Sequence, residues 1–129
     1  MKRSTILQPL SREHHTALTL AKASERAAQS GDEALVSQTC QRAIRAFSND
    51  LEPHFQFEEV SLLPLLHGTA TQPLVERTLA DHQQLRGLIN ALRQNDAGAL
   101  DSFGKCLSAH VRFEERELFP LLESLLQRE

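Results

Sequence analysis

Histidine and glutamate recur together at two places in this sequence. The stretch His54-Phe55-Gln56-Phe57-Glu58-Glu59-Val60-Ser61-Leu62-Leu63-Pro64-Leu65-Leu66 aligns without a gap to His110-Val111-Arg112-Phe113-Glu114-Glu115-Arg116-Glu117-Leu118-Phe119-Pro120-Leu121-Leu122. His, Phe, Glu, Glu, Leu, Pro, Leu and Leu coincide at eight of the thirteen positions. In each copy the imidazole and the first carboxylate (His54 with Glu58, His110 with Glu114) are four residues apart. That is one helical turn, so the two side chains project side by side. An ionised carboxylate pointing into an apolar core without a partner costs several kcal/mol. A divalent or trivalent metal ion removes the problem by supplying the missing charge. Two further histidines, His14 and His82, each follow an acidic residue (Glu13, Asp81) and each lie on a stripe of apolar residues. One layer would thus receive four imidazoles and two carboxylates. Mixed nitrogen and oxygen ligation of this kind suits iron, manganese or zinc.

The elements that must position these residues are helices. Apolar residues recur at steps of three and four in four segments, with no strand-like alternation. The first has Leu7, Leu10, His14, Ala17, Leu18, Ala21 and Ala28 on one face, the second Cys40, Ile44, Phe47, Leu51, His54, Glu58 and Leu65. The third has Val75, Leu79, His82, Leu85, Ile89 and Leu92, the fourth Leu100, Phe103, Leu107, His110, Glu114, Leu118, Leu121 and Leu125. Breaks fall at Ser30-Gly31-Asp32, at 67–73 and at Asn95-Asp96-Ala97-Gly98, which predicts helices near 11–29, 33–67, 73–94 and 97–127. Pro9 and Pro73 suit helix starts, whereas Pro53, Pro64 and Pro120 should kink or end their helices locally. Connections this short make successive helices antiparallel neighbours. The expectation is an all-α, up-down-up-down four-helix bundle forming a single domain over 1–129.

In this pattern the chain resembles the hemerythrin and hemerythrin-like HHE cation-binding family. The residues that carry the likeness are Leu10-Ser11-Arg12-Glu13-His14-His15, His54 with Glu58-Glu59, Asp81-His82, and His110 with Glu114-Glu115 leading into Leu118-Phe119-Pro120. The resemblance implies two non-haem irons between the helices, with Glu58 and Glu114 bridging them. It implies His14, His54, His82 and His110 as terminal ligands. One departure stands out. Oxygen-carrying members have a second histidine one turn along the third helix, and here that position is Arg86. His15, a water or hydroxide, or Glu59 could fill the place. His14 is in register with the buried stripe, while His15 shares its face with Ser11, Arg12, Thr19 and Lys22. His14 is therefore the expected ligand and His15 a boundary residue or the substitute for the missing one.

Glu59 and Glu115 sit about 100° round the helix from the inward glutamates, on a solvated face or as partners of the ligands. His67 reads as a capping cation, Cys40 and Cys106 as small buried hydrophobes. Phe55, Phe57, Phe113 and Phe119 flank the site as core or as a dry wall around it.

Composition narrows the function. The 14 basic and 17 acidic residues leave a net charge of -3, which argues against a nucleic-acid surface. The longest apolar run is far short of a membrane span, and two cysteines fit a reducing compartment, so a cytoplasmic protein is expected. With no Tyr in the chain, a tyrosyl radical or phenolate ligand is excluded. The first expectation is a di-iron protein that binds or senses oxygen or a related diatomic, a binding protein ahead of an enzyme. Redox-active di-iron catalysis (peroxide or nitric-oxide reduction, iron donation for repair) is the second, and a structural or metal-buffering bundle holding zinc, manganese or iron the third. Sensing would need a protein partner or a dimer.

Overall fold

The computed structural model describes residues 3–127, and these form four helical rods and no strand. The first rod is Gln8–Gln29 and the third Gln72–Arg93. The second is built in succession from Glu33–Ala46, Phe47–Leu51, Glu52–Phe57, Glu58–Leu62 and Leu63–Leu65, the fourth from Ala97–Phe113, Glu114–Leu118 and Phe119–Leu126. Pro9 and Pro73 lie in the first turns of their rods, where no intrahelical N–H bond is lost. Asp32 and Asp96 cap the second and fourth, accepting backbone N–H bonds from Ala34 and Ala99 at 3.0 Å. Gly31 and Asn95, at φ +73° and +57°, turn the chain out of the first and third rods.

The three interior prolines act through one device. Each stands two residues after a five-residue π-helical turn: Phe47–Leu51, Glu58–Leu62 or Glu114–Leu118. The residue just before the proline closes that turn, with Glu52, Leu63 and Phe119 donating to the carbonyls of Phe47, Glu58 and Glu114. Proline offers no N–H and crowds the carbonyl four residues back, and a wider turn gives the ring room. At Pro53 and Pro120 the rod continues; after Pro64 a single 3-10 turn ends it at Leu65. The extra residue in each turn also shifts the buried stripe. Leu62 is buried where the expected Leu65 is exposed, and His67 lies past the end of the rod on the surface. In the third rod Thr78 replaces the expected Leu79 at the buried position, its hydroxyl satisfied by the Leu74 carbonyl at 2.8 Å.

Two apolar clusters make the core. One holds Leu20, Cys40, Phe47, Leu85, Phe103 and Leu107, the other Leu7, Leu10, Leu62, Phe113, Phe119 and Leu122. Along every rod the inward histidines and glutamates fall where one cluster gives way to the other. The first and fourth rods meet closely at Gly104, where a Cβ would lie 2.6 Å from the Ala21 carbonyl oxygen.

Candidate metal centre

Six buried side chains converge in this layer: His14, His54, Glu58, His82, His110 and Glu114. They form two four-membered groups, His14, His54, Glu58 and Glu114 on one side and Glu58, His82, His110 and Glu114 on the other. Within each group one ligand atom from every residue lies within 4.8 Å of all the others. The two glutamates are common to both. One Glu58 oxygen faces His54 Nε2 at 3.1 Å and the other His82 Nε2 at 3.0 Å. One Glu114 oxygen faces His14 Nε2 at 2.8 Å and the other His110 Nε2 at 3.2 Å. Ring centroids of the paired imidazoles are 5.0 Å apart for His14 and His54 and 4.9 Å for His82 and His110.

The helix geometry explains the convergence. Two of the π turns open at the inward glutamate itself, Glu58 or Glu114, so the proline that follows is accommodated without turning the carboxylate out of the core. Aromatic rings then fix the imidazoles. Phe55 stacks on His82 at 4.0 Å between centroids and meets His54 and His110 edge-on. Phe119 stacks on His14 at 5.0 Å. Of the four expected flanking rings, Phe57 does not wall the site: it is exposed.

Outside this layer lies a second set of carboxylates, each reaching across to a neighbouring rod. Glu115 on the fourth rod meets His14 Nδ1 on the first at 2.6 Å, and Glu13 on the first lies 3.4 Å from His54 Nδ1 on the second. Glu59 on the second meets His82 Nδ1 on the third at 2.6 Å, and Asp81 on the third meets His110 Nδ1 on the fourth at 2.9 Å. Each rod's outer acid thus serves the next rod's histidine, closing a ring. The acid before each single histidine and the second glutamate of each repeat were the signals of this ring.

A carboxylate only accepts hydrogen bonds, so where Nδ1 is bonded it is the Nδ1–H that donates. A neutral imidazole held this way directs its Nε2 lone pair at the inward glutamate oxygen, acceptor against acceptor. Only a proton or a cation relieves that. In the protein without a cation, protons do so. Burial, then the neighbouring Glu114, pushes the Glu58 carboxyl well above the usual range. Burial and the charge of His110 hold His82 down at about 4, so it is neutral and can accept from that carboxyl. Burial opposes a charge on His110, but Glu114 and Asp81 outweigh it and raise it to about 10. Burial likewise disfavours the Glu114 anion, yet the charge of His110 and the His14 and His54 rings beside it hold its carboxyl well below the usual range. Protons still leave the cluster imperfectly satisfied. His110 Nε2 and Glu114 Oε2 are fully buried with no hydrogen-bond partner among the described residues, although 3.2 Å apart. Both belong to the group Glu58, His82, His110 and Glu114 that could hold a metal ion, and the donor set fits a cation.

The structure keeps His15 out of this layer, exposed on the face it shares with Thr19 and Lys22. Arg86, where the family resemblance placed a histidine, pairs with Glu52 at 2.8 Å and with Glu59 at 2.9 Å. Glu59 is therefore engaged by both Arg86 and His82. Cys40 is buried and Cys106 partly so; burial raises both thiols above their ordinary value. No helix among the described residues is long and apolar enough to cross a membrane.

No curated protein and no solved structure matches the chain. Residues 5–122, nearly its full length and every residue of the buried cluster, match the Hemerythrin HHE cation binding domain. The chain therefore belongs to the hemerythrin HHE cation-binding family.

Proposed function

We propose that this protein is a non-haem di-iron protein that binds or senses oxygen or a related diatomic. The observation that carries this reading is the division of six buried ligand residues into two groups sharing Glu58 and Glu114. One group per ion, with each glutamate offering one oxygen to each side, is the arrangement a bridged pair of ions requires. His14 and His54 would hold one ion, His82 and His110 the other. A bound iron pair would supply reversible redox change and affinity for small diatomic ligands; zinc or manganese would suit the same donor set.

The chain's own residues do the rest. The outer carboxylates keep His14, His82 and His110 turned with Nε2 inward, and Phe55 and Phe119 exclude water from two of the rings. The two-cluster core supports an up-down-up-down course: the cluster holding Leu7 and Leu10 also takes the end of the second rod and, partly buried, Leu74 of the third. We read 1–129 as one domain.

Protein purified without a metal-affinity tag, reduced and then exposed to oxygen, tests the reading by its optical spectrum. A ligand-to-metal band that appears with oxygen and fades on its removal is expected. Catalytic turnover of peroxide or nitric oxide would favour an enzyme instead, and a silent spectrum with zinc a structural bundle.

A further inference from the structure

The four corners of the centre are not equally closed. At three of them the carboxylate behind the histidine is itself held by an arginine, and that arginine lies over a phenylalanine. Arg3 binds Glu115 at 3.2 Å and stands 5.8 Å from the Phe119 centroid. Arg86 binds Glu59 at 2.9 Å and stands 5.9 Å from Phe55. Arg77 binds Asp81 at 3.0 Å and stands 4.7 Å from Phe113.

The His54 corner lacks the whole device. Among the described residues no arginine or lysine pairs with Glu13, and the Glu13 oxygen is 3.4 Å from His54 Nδ1 with no hydrogen bond formed. The Glu13 side chain is 42% exposed, against 32% for Glu115, 24% for Glu59 and 16% for Asp81. His54 Nδ1 is buried and unpartnered. In front of it opens a pocket of about 310 Å³, rimmed by Ile6, Pro9, Pro53 and Phe57, with Glu13 and His54 on its wall.

We infer that the His54 corner is the gate through which divalent metal ions reach and leave the centre. An ion can reach the inward glutamates only if one imidazole swings aside. His54 alone lacks a hydrogen bond from Nδ1 to an outer carboxylate and has a pocket to swing into. Glu13, exposed in the same pocket, supplies a carboxylate on which an arriving cation exchanges part of its water. At the other corners the same motion would break a hydrogen bond and a carboxylate–arginine pair as well. The inference rests on the metal-binding reading above.

The experiment loads the full-length apoprotein anaerobically with ferrous iron, then withdraws the iron with excess chelator, following both rates. Ile6→Trp, just before the first rod, and Phe57→Trp, on the second, crowd the rim from two sides. Both positions are exposed, so neither should disturb the core, and circular dichroism verifies folding. The gate predicts that either plug slows uptake and release together by about tenfold, or about 1.4 kcal/mol on the barrier, at unchanged final stoichiometry. Leu79→Trp, an exposed control on the third rod, should leave both rates at the wild-type value. Rates within about twofold of wild type for both plugs, or equal slowing by the control, overturn the gate. Failure of the wild-type chain to take up any metal overturns the reading beneath it, and the gate with it.

Discussion

Each imidazole of the centre faces a carboxylate on both sides, and at His14, His82 and His110 the outer one, hydrogen-bonded to Nδ1, decides which nitrogen carries the proton. That gives the outer residues a measurable role without contact with the ion. Glu59→Gln and Asp81→Asn should fold normally and bind metal about 10–100-fold more weakly, which competition with a calibrated chelator measures. Unchanged affinity would show that the inward rings are oriented by packing alone. The adjacent histidines give a sharper test. His14→Ala should lose metal, whereas His15→Ala, on the exposed face, should keep its full content; the reverse pattern would refute the assignment. The inward set was legible in the sequence because the repeat and the one-turn spacing place His54, Glu58, His110 and Glu114 on a buried stripe. The outer set was visible as residue types but not as pairs. Glu13 lies beside His14 in sequence yet faces His54, and Asp81 lies beside His82 yet serves His110. Such partners are chosen by the packing of rods, which adjacency does not encode.

At the scale of elements, the helix ends followed from Asp32, Gly31, Asn95 and the two early prolines, all local effects. The wide turns did not. A proline inside a helical pattern signals disruption, but whether the helix ends, as after Pro64, or widens and continues, as at Pro53 and Pro120, depends on what the next turn packs against. Leu122 and Glu123 are buried after Pro120, so continuing the rod retains burial; of the three residues after Pro64 only Leu66 is buried while Leu65 and His67 are exposed, so stopping loses little. Rod packing makes its own prediction at Gly104. A methyl there would press on the Ala21 carbonyl and on the Glu25 side chain, forcing the first and fourth rods apart. Gly104→Ala should cost about 1–3 kcal/mol of stability in urea titration, despite alanine's better helix propensity. A more stable variant would mean the rods can separate there without loss.

For the whole molecule, the centre binds folding and chemistry into one equilibrium. An ion held only by the folded chain adds about 4 kcal/mol at a thousandfold excess over Kd, so chelation should lower the thermal midpoint. Equal midpoints, with metal loss verified, would show a centre uncoupled from the fold. Acid should weaken the chelated protein further. Glu115 is held at about 2 against 4.5 unfolded, burial being outweighed by its bonds to His14, Ser11 and Arg3. Glu59 and Asp81 are lowered likewise, by His82 with Arg86 and by His110 with Arg77. Groups with a depressed folded value stabilise above their unfolded value and lose that contribution as pH falls through the folded one. His82, held at about 4 against 6.5, acts in the same direction over a higher window. Glu58, whose carboxyl is raised by burial and by Glu114, opposes His82 in that higher window, whereas below 4.5 the lowered carboxylates act together. The midpoint should therefore fall as pH drops from about 4.5 towards 2; a rising midpoint there would contradict this balance.

The claim on which everything else depends is that the six-residue layer holds a pair of irons. Elemental analysis of untagged protein from iron-replete cells, set beside Glu58→Gln and Glu114→Gln, tests it most directly. About two irons per chain are expected in the wild type, because the donors divide into two groups, and a loss from both sides of the centre in either variant, because each glutamate lies in both groups. One zinc per chain and no iron, or two irons retained when either glutamate is replaced, would contradict it.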